Sequence, residues 1–294
     1  MYQQIESNKR KTWLLISIFI LVIASIGWFL DYYMDAGYGI LIFALVLSIV
    51  MSVTSYYKSD KIALFSTGAK EIQKDDSPYV YRMVENLCIT SGIPMPKVHI
   101  INSQAMNAFA TGRDPEHASI ALTSGIIEAL ENEELEGVIA HELSHIKNYD
   151  IRLMTIVVVL VGIIALVGDF FLRWNFFGGH SRSSNDNKGG NGIILIIGII
   201  FILLSPIIAE IIKLAISRKR EYMADASGSL LTRYPEGLAR ALEKINQSPA
   251  ELKTASTATA HLFISNPLKK KTLSRLFSTH PPSEDRIKKL REMA

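Results

Sequence analysis

The chain has 294 residues, of which 49% are hydrophobic and only 20% are charged, and the apolar residues are gathered into long blocks. This composition is typical of a membrane protein with a soluble part, and it argues against a disordered or fibrous chain. With 31 basic and 28 acidic residues the net charge is only +3, so nothing in the charge favours a nucleic-acid partner.

Four apolar stretches are long enough to cross about 30 Å of bilayer hydrocarbon as helices. They span residues 13–30, 38–53, 153–172 and 193–216. The first stretch follows Lys9, Arg10 and Lys11, and it is too long for a signal peptide and lacks a small-residue cleavage site. We therefore predict that it is a retained membrane anchor.

The charges that flank these stretches predict the orientation of the chain. The basic cluster before the first stretch, set against Asp31 and Asp35 after it, places the N-terminus in the cytoplasm. We predict two transmembrane hairpins, at residues 1–57 and 153–216. The cytoplasmic domain then consists of two separated parts, residues 58–152 and 217–294, and both termini are cytoplasmic.

The soluble parts combine helical and strand-like patterns. We predict an amphipathic helix within residues 69–92 and short strands at residues 97–101 and 118–122. Ser124 is expected to cap a helix that runs to Leu130, and a second helix is expected to begin at Asn132. Further helices are expected at residues 236–245 and 284–293, with a loop or lid at residues 249–267. The predicted fold is thus a mainly α membrane protein with an α+β cytoplasmic domain that contains a small sheet.

The helix that begins at Asn132 carries the sequence H-E-x-x-H at residues 141–145. Two histidines four residues apart lie on one helix face, so His141 and His145 can reach the same ion. Zinc accepts two imidazoles and one carboxylate and leaves a fourth position for water. Glu142 is turned about 100° from His141 on the helix, which suits it to act as the general base beside that water.

A third ligand is expected after the fourth apolar stretch. Glu221 and Asp225 are spaced i, i+4, so Glu221 can bind the ion while Asp225 orients a ligand histidine. The alternative is a solvated helix end on which Glu221 pairs with Arg218 or Arg220. His145 precedes the third apolar stretch by eight residues, or about 12 Å of helix, so the ion is expected just above the cytoplasmic membrane face.

Several segments together resemble the HtpX family, bacterial integral-membrane zinc metalloproteases that are related to the CAAX prenyl proteases. The segments are residues 106–112, the H-E-x-x-H sequence with Asn148 and Asp150 after it, residues 221–225, and residues 279–282. The resemblance covers nearly the whole chain, in order. It implies a gluzincin-like domain, one zinc ion per chain on His141, His145 and Glu221, catalysis by Glu142, and cleavage of misfolded or damaged membrane proteins at the bacterial inner membrane.

The resemblance also suggests residues around the substrate. In such a family Asn107, Ala108 and Phe109 would border the cleft, where an edge strand pairs with an extended substrate, although an ordinary turn is the alternative. His280 would donate a hydrogen bond to the oxyanion, or be an unremarkable surface histidine. Arg286 would bind a substrate carbonyl or cap a charged helix.

Two other functions fit parts of the pattern. One is a membrane zinc protein that binds clients without cutting them, as a chaperone or scaffold, but such a protein needs no carboxylate like Glu142 beside the open position. The other is a protease that cuts within the bilayer. That protease would carry its zinc motif in an apolar segment, whereas Glu131, Glu133, Glu134 and Glu136 lead into the motif here.

Overall fold

A computed structural model describes residues 2–35, 37–162, 218–252, 254–255, 259–267 and 281–293. The helices are α1 Tyr2–Met34, α2 Gly39–Thr67, α3 Pro78–Ser91, α4 Ser124–Ala129, α5 Asn132–Lys147, α6 at residues 150–162, α7 Arg218–Thr232, α8 Pro235–Gln247 and α9 Ser283–Arg291. The strands are β1 Lys70–Glu71, β2 Lys97–Ile101, β3 Ala108–Gly112 and β4 Ala118–Thr123. Short 3₁₀ turns lie at Pro115–His117 and Ala260–Leu262.

The first two helices form the predicted hairpin. Two helices of the described residues are long and apolar enough to cross a membrane, Ile5–Tyr32 within α1 and Gly39–Thr67. The Asp31 carboxylate accepts hydrogen bonds from the Tyr38 and Ile40 amides, at 2.8 and 3.0 Å, and so supports the start of α2. The helices approach closely at Gly27, where a Cβ atom would lie 2.5 Å from that of Ala44.

The second helix is longer than the apolar stretch in the sequence. We expected the stretch to end at residue 53 and the membrane unit at residue 57, but α2 continues to Thr67. Residues 54–67 contain neither Gly nor Pro, so nothing interrupts the helix until Gly68. Gly68 adopts φ +71° and ends α2 with a left-handed residue. The helix therefore leads directly into β1.

The structure confirms one helix prediction after α2 and corrects another. The helix expected within residues 69–92 is α3, which begins at Pro78, a residue that has no N–H to donate and fits the first helical position; β1 lies before it. The cap of α4 is Thr123 and not Ser124, because the Thr123 hydroxyl accepts the hydrogen bond from the Ile126 amide.

The small sheet has the strand order β1-β2-β4-β3. Strand β2 pairs with β4 in parallel, and β1 and β3 are antiparallel to their neighbours. The prediction of strands β2 and β4 is confirmed. Strand β3 was not predicted as a strand, because its sequence AFATG contains only two residues that favour strands, Phe109 and Thr111.

The main core lies between the sheet and helices α3, α5 and α8. Helix α5 begins as its acidic first turn predicts, with a capping box in which the Glu134 carboxylate accepts a hydrogen bond from the Glu131 amide at 2.9 Å. Lys244 of α8 donates to the same carboxylate at 2.7 Å. These contacts fix the helix that carries the H-E-x-x-H sequence.

Helix α6 lies at the start of the predicted third apolar stretch. Its residues pack both on α1 and on the sheet. Ile156 belongs to the cluster around Phe19 of α1, and Met154 belongs to the cluster around Phe109 of β3. The rest of the third stretch, the predicted loop after it and the predicted fourth stretch lie outside the described residues.

Candidate metal centre

Helix α5 brings the two histidines of the H-E-x-x-H sequence together. Both are buried, with 1% of His141 and 4% of His145 exposed. Their Nε2 atoms lie 3.2 Å apart and their rings are nearly perpendicular, with centroids 4.7 Å apart. The one-turn spacing thus places both nitrogens at one point, as a shared ion requires.

Helix α7 supplies Glu221 to the same point. Its buried residues are Glu221, Ala224, Asp225, Gly228 and Ser229, a spacing that gives the helix a single inward face. That face packs on α5 so closely that a Cβ atom at Gly228 would lie 3.0 Å from the His141 amide nitrogen. The Glu221 carboxylate oxygens lie 3.8 Å from Nε2 of His141 and 3.6 Å from Nε2 of His145.

These distances fit a zinc ion. Nitrogen and oxygen ligands lie about 2.0–2.2 Å from tetrahedral zinc, and the corresponding ligand atoms are about 3.3–3.6 Å from one another. The measured separations of 3.2, 3.6 and 3.8 Å are close to these values. His141, His145 and Glu221 are also the group of possible ligands that stands out among the described residues. Two imidazoles and one carboxylate form the ligand set of a catalytic zinc with an open position.

Each histidine has a carboxylate at its other ring nitrogen. Nδ1 of His141 lies 2.9 Å from Asp225, as the sequence suggested. Nδ1 of His145 lies 3.1 Å from Asp150, a residue to which the sequence analysis gave no role of its own. The sequence feature that could have identified Asp150 is the presence of a carboxylate five residues after His145, beyond the end of α5. Such carboxylates fix the tautomer and the orientation of metal-binding imidazoles.

The base candidate Glu142 is almost fully enclosed, with 2% exposed. Burial raises the pKa of its carboxyl to about 7, helped by the nearby Glu221 charge and opposed by His145 and by the hydrogen bond from the Ala110 N–H. A carboxyl with a pKa near neutrality can both accept and return a proton. Its surroundings therefore suit a general base that later acts as an acid.

The histidines differ in charge when no ion is bound. Burial lowers the pKa of His141 to about 4. Burial also acts against the charged form of His145, but the hydrogen bond to Asp150 and the charge of Glu221 outweigh it and raise the pKa to about 9. The ring of His145 must therefore lose a proton when a metal ion binds.

Arg286 differs from both sequence expectations, since it neither lies open to a substrate nor caps a helix. Its guanidinium is buried and donates two hydrogen bonds to Asp225, at 2.9 and 2.6 Å, and one to the Ile264 carbonyl at 3.2 Å. A buried guanidinium needs a charged partner, and Asp225 provides it. The Arg286 charge in turn holds the pKa of Asp225 at about 2 against the effect of burial.

Strand β3 is the end strand of the sheet beside α5, where an added strand is expected, but part of its outer edge is already covered. The Ile264 amide donates to the Ala108 carbonyl at 3.0 Å. The Asn107 side chain donates to the Ser265 carbonyl and accepts from its amide, at 2.8 and 3.3 Å. Phe109 and Phe263 are in edge-to-face contact. Residues 263–265 thus lie antiparallel to residues 107–109. His280 lies outside the described residues.

Comparisons with known proteins show the family of the chain. The sequence profile of peptidase family M48 matches residues 73–294. Proteins named protease HtpX homolog are similar over the full length of the chain. The homolog from Caldanaerobacter subterraneus subsp. tengcongensis is 45% identical, covering 100% of this chain and 98% of its own. The homolog from Streptococcus uberis is 44% identical and covers all of both chains.

One solved structure shares the fold. The crystal structure of S. mikatae Ste24p aligns with a TM-score of 0.53 at 20% sequence identity, covering 99% of this chain and 67% of its own. At that identity the likeness concerns the fold alone. It extends over the hairpin as well as the soluble part.

Proposed function

The chain belongs to peptidase family M48 and is a membrane metallopeptidase, and on that premise we propose that it is a zinc endopeptidase that cleaves misfolded or damaged membrane proteins. The observation that carries the proposal is the convergence of His141, His145 and Glu221 from two helices, with Glu142 enclosed next to them. A site that only bound clients would have no use for that enclosed carboxylate.

The chemistry assigned to the chain follows from the positions of its side chains. A zinc ion on the three ligands would polarise the scissile carbonyl and lower the pKa of the attacking water to about 7. Glu142 takes the proton of that water and passes it to the leaving amine, while the Ala110 N–H holds its carboxylate in place. Asp225 and Asp150 keep the imidazoles oriented. We retain His280 as the proposed donor to the oxyanion.

We further propose that an extended substrate binds along Asn107, Ala108 and Phe109. Peptides commonly add to an exposed sheet edge through main-chain hydrogen bonds. Residues 263–265 already hydrogen-bond to this edge in an antiparallel register. A substrate strand that pairs here therefore has to displace residues 263–265. When residues 263–265 are displaced, they lose these hydrogen bonds and the contact of Phe263 with Phe109. A substrate strand in the same place forms contacts of the same kind.

Hydrogen exchange tests this substrate position. Zinc-loaded Glu142→Gln protein is mixed with reduced, carboxymethylated α-lactalbumin, an unfolded polypeptide that we expect it to bind without cutting. Exchange at Ile264 and Ser265 is expected to rise when the polypeptide binds, since their amides lose the hydrogen bonds to the Ala108 carbonyl and to the Asn107 side chain. A peptide from α8 serves as the control and should not change. Binding with unchanged protection at residues 264–265 would place the substrate elsewhere.

We propose that the protein crosses the bacterial inner membrane four times, with both termini and the metal centre in the cytoplasm. The domain division at residues 1–57, 58–152, 153–216 and 217–294 is part of this proposal, with the last residues of α2 extending beyond the first boundary. Support comes from the basic residues 9–11 at the start of α1 and 218–220 at the start of α7, since basic residues favour the cytoplasmic side.

Cleavage mapping tests the activity and its location together. The full chain in bilayers, given a destabilised multispanning membrane protein, is expected to cut it in cytoplasmic loops. A chelator should stop cleavage and added Zn²⁺ should restore it, because the ligand set suits zinc. Fragments that end within transmembrane helices would instead favour a protease acting inside the bilayer. Binding of the client without any zinc-dependent fragment would favour the chaperone or scaffold function.

A further inference from the structure

The turn between α5 and α6 returns the chain to the metal centre. Helix α5 ends at Lys147, and the amides of Asn148 and Tyr149 donate to carbonyls of its last turn, at 3.1 Å each. Asp150 then begins α6 with its Oδ2 atom 3.1 Å from Nδ1 of His145. The carboxylate that orients the second histidine therefore depends on the shape of a two-residue turn.

That turn is strained. Tyr149 adopts φ +59°, a left-handed conformation that bulky side chains rarely take. Such a residue persists only where its surroundings hold it. Its ring lies against two cations, with Lys9 4.7 Å and Arg152 5.2 Å from the ring centroid. Lys9 belongs to α1, so the first membrane helix supports the turn.

The neighbouring residue of α1 makes a more direct contact. The Asn8 side chain is buried, and its amide nitrogen donates to Oδ1 of Asp150 at 2.7 Å and to the Asn148 carbonyl at 3.1 Å. It therefore bonds to the residues on both sides of Tyr149. Arg220 lies farther from the same oxygen, at 3.7 Å. The Asp150 carboxylate is thus shared between Asn8 on one oxygen and His145 on the other.

We propose that Asn8 is a positioning residue of the metal centre, acting through Asp150 on His145, so that the first membrane helix is a structural part of the zinc site. The inference rests on the proposed zinc ligands. His141 is held separately, by Asp225 and Arg286 on α7 and α9. Each ligand histidine thus has its own support, and within the described part of the chain the support of His145 is the one that extends to the membrane hairpin.

A double-mutant cycle on the full chain in detergent tests the proposal, with zinc affinity measured by competition with a chelator. Asp150→Ala is expected to weaken zinc binding by about 10- to 100-fold, as is usual when the partner of a ligand histidine is lost. Asn8→Leu keeps the branched shape of the side chain but removes the donor, and we expect a loss of zinc affinity of about threefold to tenfold. In the Asp150→Ala background, Asn8→Leu should change affinity by less than about twofold, because its route to the ligand is already gone.

Controls separate positioning from helix packing. Thr12→Val is the matched control, since Thr12 is also buried one turn along α1, and its hydroxyl donates to the Asn8 carbonyl within its own helix. It should leave zinc affinity within about twofold. Cobalt-loaded Asn8→Leu protein should also show altered visible absorption, and Thr12→Val protein should not. Asn8→Ala serves where the Leu variant fails to fold.

Three results would overturn the proposal. The first is zinc affinity that is unchanged in both Asn8 variants. The second is a loss of zinc affinity from Asn8→Leu that is the same with and without Asp150. The third is an equal loss of zinc affinity in Thr12→Val. If the wild-type chain binds zinc normally in these cases, His141, His145 and Glu221 remain the proposed zinc ligands. Absence of zinc binding by the wild-type chain would reject the ligand assignment as well.

Discussion

Replacement of Glu142 by glutamine is expected to abolish proteolysis while leaving one zinc ion per chain. Glutamine has nearly the shape of glutamate but cannot accept the proton of the attacking water, and a general base contributes about 10²- to 10⁴-fold to the rate. Zinc should remain, because the ligand group consists of His141, His145 and Glu221. The fold should remain too, because the amide oxygen of glutamine can still accept the hydrogen bond from the Ala110 N–H.

Cleavage of a membrane substrate and metal analysis on the same preparations measure both effects. Glu136→Gln is the matched control, because Glu136 lies on the same helix, is only partly buried and borders a separate surface pocket with Tyr79 and Arg82. It should keep wild-type activity and zinc content. Substantial turnover by the Glu142 variant, with chelator-treated enzyme as the blank, would reject Glu142 as the base.

Removal of the Glu221 carboxylate is expected to have the largest effect on the metal itself. Glu221→Ala leaves two imidazoles, with a cavity in place of the only carboxylate ligand, so zinc affinity should fall by more than the roughly 100-fold upper range seen for loss of a ligand's partner. Activity should disappear with the metal. Metal analysis after gel filtration gives the result directly, and proteolysis at saturating zinc shows whether any activity returns.

The control for Glu221 addresses the alternative raised by the sequence. If Glu221 only paired with arginines at a solvated helix end, Arg218→Ala would disturb it as well. Glu221 is 2% exposed whereas Arg218 is exposed, so we expect Arg218→Ala to keep its zinc. Zinc content equal to wild type in Glu221→Ala protein would remove this residue from the ligand set.

Much of the candidate site is predictable from local sequence because helix periodicity determines it. The spacing of His141 and His145 places them together on any helix, and the acids that follow Glu131 indicate where that helix begins. Glu221 and Asp225 share a face for the same reason. The packing of α7 on α5 is a long-range contact. For this contact the sequence indicated only that Glu221, a suitable type of ligand, follows a membrane segment.

Other features depend on contacts that no local pattern reveals. Asp150 reaches His145 across a turn in which Tyr149 adopts a left-handed conformation, and Tyr is a poor signal for such a turn. Asn8 lies 142 residues from Asp150 in the chain. The resemblance suggested an edge strand near residues 107–109 for substrate pairing, but residues 263–265 cover part of the β3 edge through a pairing with no sequence signature. These are tertiary contacts, and they concern the parts of the site that orient ligands and admit substrate.

The bare Cα of Gly228 matters for how closely two helices can approach. Any side chain there would press on the backbone of His141, and the two helices would have to separate by a few tenths of an ångström. Bond lengths around an ion tolerate only about 0.2 Å. A separation of that size would move Glu221 relative to both histidines by as much as the tolerance of a metal site, so the absence of a Cβ atom at Gly228 helps to keep the three side chains at ligand distance.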